Sequence, residues 1–449
     1  MNIKYQYSHF IYPFVIDEKN YYRFIKSIVQ NRKYELKIHN MKQNEELYNF
    51  YLPYMRKFIF PTLYWNTSMK NKFKKMDNME KSYALSKLTS VSFDYRMNNV
   101  KECTLLGNKN INFDIVNIRL ICFKPGICFF DIKTELDNGS SQIPYNDMLD
   151  FNHMFREITN DAYKIGKEDF TGINEVLKLI RDTKLKYESK NLENMYHDRM
   201  FTYSYACTDD KFWDIDNNLK NIKNDFYKYQ YVVKSNSDEI FNEECDKVKE
   251  NIYSRWKYSL FGFSKESCVA LAAQRGGYNI TKMPYNFEKM YLYMLLFAFY
   301  QRISLINFSN NLLSCNKDKI KKLKSQFTKF THCSWFGQIT NSEHGMGMWK
   351  MWQKTFELPE LYSEVNKEYS DYFNSMVTSG QDKINMLLIL LYTASVIFAG
   401  LSIIIQLYDI KGTWIENITI YTLVITSLSY PIFLIGRWIK RKLESTLGE

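Results

Sequence analysis

The residues best suited to ligand chemistry lie on one predicted helix in the first half of the chain. In the segment DMLDFNHMFREI (147 to 158), apolar residues recur at helical spacing, and Asn152 and Arg156 stand one turn apart. Phe151 and Phe155 flank them. An arginine donates charge-assisted hydrogen bonds to phosphate, and aromatic faces can stack against a planar base. The group is a candidate anion-binding site, although an ordinary surface arginine on an amphipathic helix explains the same residues.

Other single residues offer related chemistry. Arg96 in SFDYRMNN and Arg199 in HDRMFTYSY also carry guanidinium groups, and each also fits a structural ion pair. His344, beside Glu343 in NSEHGMGMW, fits metal or proton chemistry, but a lone histidine in an aromatic loop more commonly makes a structural hydrogen bond. The basic run at 316 to 330 fits a solvated helix face or contact with anionic lipid better than nucleic acid. We therefore expect no direct nucleic-acid partner.

No sequence motif supports catalysis. The phosphate-loop, dinucleotide-binding, zinc-protease and nucleophile-elbow motifs do not occur, so we expect a protein that is not an enzyme and has no cofactor. The 8 cysteines form no C-x-x-C pair and have no histidine at ligand spacing. We expect no metal site, and reduced, mostly buried thiols. The net charge of +11 is scattered along the chain and selects no partner.

The elements that position these residues begin with strands. The segment VNIRLICFKPGICFFDIKTEL (116 to 136) consists of two β-rich runs around Lys124-Pro125-Gly126, which predicts a hairpin. A polar stretch at 182 to 200 is typical of an exposed helix or linker, and helical periodicity dominates from about residue 285. The apolar run at 290 to 300 is too short to cross a bilayer, so it predicts a core helix.

Two longer apolar runs lie at the end of the chain. Ile384 to Tyr408 and Asn417 to Gly436 contain no charged residue, and at about 1.5 Å per residue each is long enough to span a bilayer. The second run is followed by basic residues, whereas the loop between the runs has one lysine. This asymmetry predicts that both termini are cytoplasmic. A buried hydrophobic hairpin of a soluble protein is the alternative.

The first span continues a longer helical pattern. From Leu361 to Tyr408 only Gly380 and Gly400 interrupt it, which predicts one helix of roughly 70 Å that projects beyond the bilayer. Its first part has residues at the spacing of a coiled-coil seam: Tyr362, Val365, Tyr369, Tyr372 and Met376. A single amphipathic helix packed on its own domain fits this spacing as well.

Most polar and small residues of the first span share one stripe. The stripe consists of Asn385, Leu388, Tyr392, Ser395, Ala399, Ser402 and Gln406. Polar side chains that face lipid are costly, so we expect the stripe to face other helices or water. A water-filled pore and a dry helix contact both satisfy this requirement.

A long helix entering the first of two C-terminal spans, a very short outer loop and the basic tail GRWIKRKL together resemble the CorA family of magnesium channels. In NMLLILLYTASVIFAGLSIIIQLYDIK (385 to 411), Asn385 and Tyr408 match the family's first asparagine and the tyrosine of its Tyr-Gly-Met-Asn motif. Asp409, Ile410 and Lys411 stand where the family has Gly-Met-Asn. The resemblance therefore implies an outer mouth at Tyr408, Asp409 and Lys411 that lacks the magnesium filter.

A CorA architecture without that motif is similar to the CorA-like membrane effectors of type III CRISPR systems. The similarity implies a homopentamer in the bacterial inner membrane, multi-pass, whose cytoplasmic domain binds a nucleotide messenger, S-adenosylmethionine joined to AMP, and whose membrane part then leaks in antiviral defence. The ligand-binding residues would be Asn152, Arg156, Arg96 and Arg199. A divalent-cation (magnesium) transporter and a membrane-anchored enzyme are the alternatives.

The predicted fold class is an α/β cytoplasmic domain followed by a long helical stalk and two C-terminal transmembrane helices, as in a CorA-like α-helical membrane protein. The predicted boundaries are a sensor domain at 1–284, a helical region and stalk at 285–383, spans at 384–408 and 417–436, an outer loop at 409–416 and a basic cytoplasmic tail at 437–449.

Overall fold

A computed structural model describes most of the chain. The described residues are 1–40, 44–96, 103–105, 110–137, 139, 142–157, 163–165, 168–170, 199–209, 213, 220–237, 250–275, 277–313, 317–408 and 418. The chain divides into two compact units, Met1–Ser363 and Glu364–Glu449. The first unit is a mixed α/β domain, and the region that follows it is helical, which confirms the coarse prediction of the fold class.

One mixed sheet forms the centre of the first unit. Its strands are β1 (Asn2–Val15), β2 (Tyr34–Leu36), β3 (Ser90–Tyr95), β4 (Cys103–Leu105), β5 (Ile111–Phe123), β6 (Ile127–Leu136), β7 (Ile143–Pro144), β8 (Tyr163–Ile165), β9 (Glu168–Phe170), β10 (Phe201–Thr208), β11 (Ile252–Tyr253), β12 (Ser259–Phe263) and β13 (Ser267–Ala273). The main order is β11-β12-β13-β10-β1-β6-β5-β4-β8-β9; β3 pairs with β2 and β5, and β7 pairs with β1. Among the described strands, β10 and β13 run parallel and the other pairs are antiparallel.

The predicted hairpin is confirmed as β5 and β6. Residues Phe123 and Ile127 pair at the ends of the two strands and leave 124–126 as the turn. Gly126 has φ +156°, and a Cβ at this position would lie 1.9 Å from the carbonyl oxygen of Ile16. The Ile16 amide donates to the Gly126 carbonyl at 2.8 Å, so glycine allows this close approach of two backbones.

Helices surround the sheet. They are α1 (Glu18–Gln30), α2 (Glu45–Phe50), α3 (Pro53–Ile59), α4 (Thr67–Lys75), α5 (Asn78–Lys87), α6 (Tyr145–Phe155), α7 (Lys220–Gln230), α8 (Tyr278–Asn286), α9 (Leu292–Leu313), α10 (Lys317–Ser334), α11 (Glu343–Thr355) and α12 (Leu358–Tyr408). A 3-10 turn covers Pro61–Tyr64, and a π-helical turn, Phe287–Tyr291, joins α8 to α9. Helix α6 confirms the helix predicted in 147 to 158.

The central strands are buried on both faces, as β1 illustrates. Successive side chains of a strand point to opposite sides, so Phe10 packs on Phe155 of α6 at 4.4 Å between ring centroids. From the other face, the Tyr7 hydroxyl donates to the carbonyl of Pro284 in α8 at 2.5 Å. The apolar content of β1, β5 and β6 therefore fills two core layers rather than one.

The apolar run at 290 to 300 forms the first half of α9, and the prediction of a core helix is confirmed. Leu292, Leu295, Leu296 and Phe299 are all fully buried. Five cysteines, among them Cys122 and Cys128, are buried free thiols, and Cys333 is an exposed free thiol. The stretch at 182 to 198, and Cys245 and Cys315, lie outside the described residues.

The predicted long helix is confirmed as α12, which runs unbroken for 51 residues. Within the described residues one segment, Gln381–Gly400, is long and apolar enough to cross a membrane, and only 6% of it is buried. It overlaps the first predicted span. The second predicted span, at 417–436, lies outside the described residues except for Ile418, as does the tail at 437–449.

Candidate ligand-binding site

Two of the predicted arginines meet at one carboxylate. Arg156 follows α6 directly, and Arg199 stands two residues before β10. Backbone contacts hold the two positions together, because Glu157 and Arg199 form a β-bridge and the Met200 amide donates to the Arg156 carbonyl at 2.7 Å. The carboxylate belongs to Glu266, in the turn between β12 and β13.

The geometry converges on a single oxygen atom. Nη1 of Arg156 and Nη1 of Arg199 each donate to Oε2 of Glu266 at 3.2 Å. The Arg156 side chain is almost fully buried, whereas 31% of Arg199 and 46% of Glu266 are exposed. Two guanidinium groups within reach of one small, partly exposed anion are the arrangement that recognises phosphate or carboxylate. The arginines could therefore hold an external anion in place of Glu266.

Asn152 does not point to this carboxylate, although it lies one turn before Arg156. Its Oδ1 accepts from the Ser8 hydroxyl at 2.7 Å, and its Nδ2 donates to the Ser204 hydroxyl at 3.4 Å. Asn152 is 1% exposed, and the Tyr229 hydroxyl joins the same network by donating to Ser204 at 2.6 Å. These contacts tie α6 and α7 to β1 and β10, so they are structural; ligand binding by Asn152 stays a prediction.

Arg96 lies apart from the other two arginines. It follows β3, which is separated from β10 in the sheet by β5, β6 and β1. Its Nη2 lies 2.9 Å from Oε2 of Glu35, and both side chains are more than half exposed. This surface ion pair contributes little to stability. Ligand binding by Arg96 also stays a prediction.

A second charged group, which the sequence analysis did not single out, lies inside the first unit. Asp131 of β6 accepts from Arg119 of β5, with Nε at 3.0 Å from Oδ2, and its Oδ1 lies 2.9 Å from Nδ1 of His9 on β1. All three side chains are fully or almost fully buried. Next to them, Nζ of Lys133 lies 3.0 Å from Oε2 of Glu288.

The surrounding cationic groups favour the charged form of the two carboxylates, Asp131 and Glu288. Burial alone would raise the pKa of the Asp131 carboxyl, but His9 and Arg119 together hold it below its usual value. The pKa of Glu288 is likewise depressed, because His9, Lys289 and Lys133 outweigh the effect of its burial. His9, Arg119 and Asp131 are closed to solvent, and they connect the three neighbouring strands β1, β5 and β6.

His344 is a buried member of an aromatic cluster. The prediction that it lies in a loop is wrong, because residues Glu343–Thr355 form α11. Its ring lies 4.7 Å from Trp256 and 5.3 Å from Tyr253, centroid to centroid, and neither ring nitrogen has a hydrogen-bond partner among the residues that the structure describes. Burial, together with the charge of Arg255, lowers the pKa of His344 to about 4. Within the described part of the chain, the predicted structural hydrogen bond is therefore not formed, and the ring is neutral at physiological pH.

The seven residues of the predicted pore stripe lie on α12 and are all exposed in the single chain. Leu387 and Leu391, which are off the stripe, are equally exposed, so exposure does not select the stripe. The Ser395 hydroxyl donates to the carbonyl of Leu391 at 2.8 Å, and Ser402 bonds in the same way to Phe398. These serines are satisfied within their own helix. Both interpretations of the stripe, pore and dry contact, stay open.

The outcome of the coiled-coil prediction differs between the early and the later seam positions of α12. Tyr362 stacks on Trp335 with ring centroids 4.4 Å apart, so this residue packs on its own domain. Val365 and Tyr369 are buried, Tyr372 is partly exposed, and the side chain of Met376 lies outside the described part of the structure. A seam between protomers stays a prediction for the later positions.

Only Tyr408 of the predicted outer mouth is among the described residues. Tyr408 is the last residue of α12, and Asp409 and Lys411 lie outside the described residues. Among the residues that the structure describes, no group of three or more histidine, cysteine or acidic side chains could hold a metal ion. The outer mouth that the family resemblance implies therefore stays a prediction.

Comparisons of the chain with models of known families, with curated proteins and with solved structures find no match. The resemblance to CorA channels and to CorA-like effectors therefore stays a prediction. What the fold and the sites define is an α/β domain with a candidate anion site, followed by a helix with an exposed apolar segment.

Proposed function

We propose that the protein is an oligomeric membrane effector whose cytoplasmic α/β domain binds a nucleotide-type ligand and thereby opens a leak in the bacterial inner membrane. The ligand would be an adenylate conjugate, with S-adenosylmethionine joined to AMP as the leading candidate. The chain would act as a homopentamer with two spans and with both termini in the cytoplasm. In this proposal it is a receptor and channel of antiviral defence rather than an enzyme.

The observation that carries the membrane part is the exposed apolar segment of α12. Gln381–Gly400 is only 6% buried, whereas a core helix of a soluble protein would be covered. Exposing such an apolar surface to water is energetically unfavourable, so lipid or other copies of the chain must cover it. The uncharged run at 417–436 would supply the second span.

The ligand part is supported by Arg156 and Arg199. Their Nη1 atoms meet at a partly exposed carboxylate oxygen, each at 3.2 Å, which is the position that a phosphate oxygen would take. Asn152 and Arg96 contribute less to the proposal, because Asn152 is engaged in the buried serine network and Arg96 lies several strands away.

Ring assembly gives the proposed channel its sensitivity. To shift a closed-to-open ratio from 1:99 to 99:1, the ligand must favour the open state by about 5.5 kcal/mol in total. Five sites could share this differential binding. A ring of Lys411 side chains at the outer mouth, as the family resemblance implies, would disfavour divalent cations and so favour a leak over magnesium transport.

Calorimetry on the full-length chain in detergent tests the ligand site. Arg156→Ala should weaken binding of the S-adenosylmethionine–AMP conjugate by about 1.5 to 3 kcal/mol, because a charge-assisted hydrogen bond to phosphate is lost. Arg255→Ala is the matched control, since it removes a partly exposed guanidinium that pairs with Glu343 and is not among the predicted ligand-binding residues. Unaltered affinity in Arg156→Ala, with wild-type binding intact, would remove Arg156 from the site.

A further inference from the structure

The turn that carries Glu266 also contacts the start of the long helix. The 264–267 turn consists of residues 264–266, which connect β12 to β13, and Ser267, the first residue of β13. Glu266 accepts hydrogen bonds from both arginines, and its neighbour Lys265 places Nζ 3.0 Å from Oε2 of Glu357. Glu357 is the residue directly before α12. One short turn therefore contacts the candidate ligand site on one side and the beginning of α12 on the other.

The backbone at Glu357 is in an unusual conformation. Its φ is 52°, in the left-handed region that residues other than glycine rarely adopt, so surrounding contacts must hold it. Lys265 holds the side chain, and Nη1 of Arg302 donates to the carbonyl of the preceding residue, Phe356, at 2.8 Å. The amide of Leu361 makes the first i to i−4 hydrogen bond of α12, donating to the Glu357 carbonyl at 3.0 Å.

The turn itself is a stiff connector. The hydroxyl oxygen of Ser264 accepts from the amide of Glu266 at 3.2 Å and from the amide of Ser267 at 2.9 Å. The amide of Thr202 donates to the Glu266 carbonyl at 3.0 Å, which ties the turn to β10. A shift caused at Glu266 should therefore carry the neighbouring Lys265 with it, rather than being absorbed within the turn.

An aromatic contact adds to the ionic one. Phe263, the last residue of β12, packs edge-on against Trp352 of α11 with ring centroids 4.8 Å apart. Trp352 in turn stacks on Phe356 at 5.4 Å. This matters because the pair of Lys265 and Glu357 is more than half exposed, and an exposed ion pair alone holds weakly.

We infer that Glu266 is a built-in competitor for the anionic group of the ligand, and that its displacement is passed through the 264–267 turn to the start of α12. The inference rests on the proposed function, because it assigns a regulation to the same arginine site. A phosphate and a carboxylate compete for the same guanidinium donors, so the ligand binds only as Glu266 leaves. The shift of the turn moves Lys265 away from Glu357, and the first turn of α12 then opens more often.

The variant Glu266→Gln tests the competition. It removes the negative charge and keeps an amide oxygen as acceptor for the buried Arg156. We expect it to bind the S-adenosylmethionine–AMP conjugate about fivefold more tightly than the wild type, which is the size of an exposed ion pair. Without any ligand, hydrogen exchange of the Leu361 amide in the full-length chain should become about fivefold faster.

The variant Lys265→Met tests the connection, because it breaks the contact with Glu357 and leaves the arginines untouched. It should raise the exchange of Leu361 and abolish the further rise that the conjugate causes in the wild type. Glu343→Gln is the control; it removes an exposed carboxylate that pairs with Arg255 at 2.8 Å, away from the turn. It should change neither the affinity nor the exchange of Leu361.

The outcomes separate this inference from the proposed function. Suppose that the conjugate binds and that Arg156→Ala weakens this binding, but Glu266→Gln changes neither the affinity nor the hydrogen exchange of Leu361. The inference is then overturned, while the proposed receptor function stands. A conjugate-induced rise at Leu361 that persists in Lys265→Met also overturns it. If the conjugate does not bind, while Glu266→Gln still speeds the exchange of Leu361, the connection stands and the proposed ligand is wrong.

Discussion

Helices α9 and α12 contain similar apolar residues in opposite environments. In α9, Leu295 and Phe299 are completely buried within the first unit. In the second unit, 62% of Leu391 and 72% of Phe398 are exposed. Composition does not distinguish the two segments, but length does, because the uncharged run of α9 is too short for a bilayer and that of α12 is long enough.

The contrast shows where each unit obtains its stability. The first unit buries the apolar residues of its sheet beneath helices packed on both faces. In the second unit, by contrast, the apolar segment Gln381–Gly400 of α12 is only 6% buried. In the proposed effector, lipid or further copies of the chain would cover this segment.

The largest expected effect comes from matched leucine substitutions in the two helices. Leu295→Ala should lower the free energy of unfolding by about 2 to 5 kcal/mol, because it leaves a cavity in the core. Leu391→Ala should cost less than about 1 kcal/mol if Leu391 faces lipid or detergent, since no protein cavity forms. Thermal unfolding of the full-length chain in detergent, followed by circular dichroism, measures both.

The same two leucine variants can also contradict the proposed difference between α9 and α12. Equal losses in the two variants would mean that Leu391 is packed tightly against another protomer. In that case the lipid-facing side of α12 would have to lie elsewhere on the helix.

A smaller, pH-dependent effect is expected from His344→Phe in the first unit. The folded chain keeps the pKa of His344 at about 4 because of burial, whereas an unfolded histidine titrates near about 6.5. Between these values only the unfolded chain takes up the proton, so the wild type loses stability as pH falls from about 6.5 towards 4. The substitution His344→Phe removes this pH-dependent loss of stability, and the phenylalanine ring can pack against the surrounding aromatic rings.

At pH 5 the free energy of unfolding of the His344→Phe variant should therefore exceed that of the wild type by about 1 to 2 kcal/mol. At pH 8 the difference should be smaller. Unfolding curves at the two pH values measure the difference. Some acid sensitivity should remain in both proteins, because burial and the charge of Lys37 also lower the pKa of His39, to about 3. Identical pH profiles for the two chains would contradict this account of His344.

The hairpin of β5 and β6 could be predicted from sequence because its determinants are local. Alternating apolar residues and a Lys-Pro-Gly turn define the two strands. The pair of Arg119 and Asp131 could have been inferred too, since the residues are equally distant from the turn and face each other across the strands. Their contact with His9 could not, because it depends on the pairing of β1 with β6.

The candidate site was only half predictable for the same reason. Arg156 and Arg199 were recognisable by residue type, but Glu266 is brought to them by the parallel pairing of β10 with β13, which no local pattern specifies. The segment HGMGMW was wrongly predicted to be a loop, because its glycines are typical of loops. In the structure, a Cβ on Gly347 would lie 2.5 Å from the hydroxyl oxygen of Tyr253, so this glycine serves close packing of a helix.

The most direct measurement of the central claim is ligand-triggered leakage from liposomes that contain the full-length protein. Entrapped dye should be released on addition of the S-adenosylmethionine–AMP conjugate and retained without it, and Arg156→Ala should shift the response to higher ligand concentration. Liposomes loaded with a magnesium indicator should show no uptake in the absence of ligand. Robust ligand-independent magnesium uptake, together with no dye release at saturating conjugate, would contradict the proposed effector and favour a divalent-cation transporter.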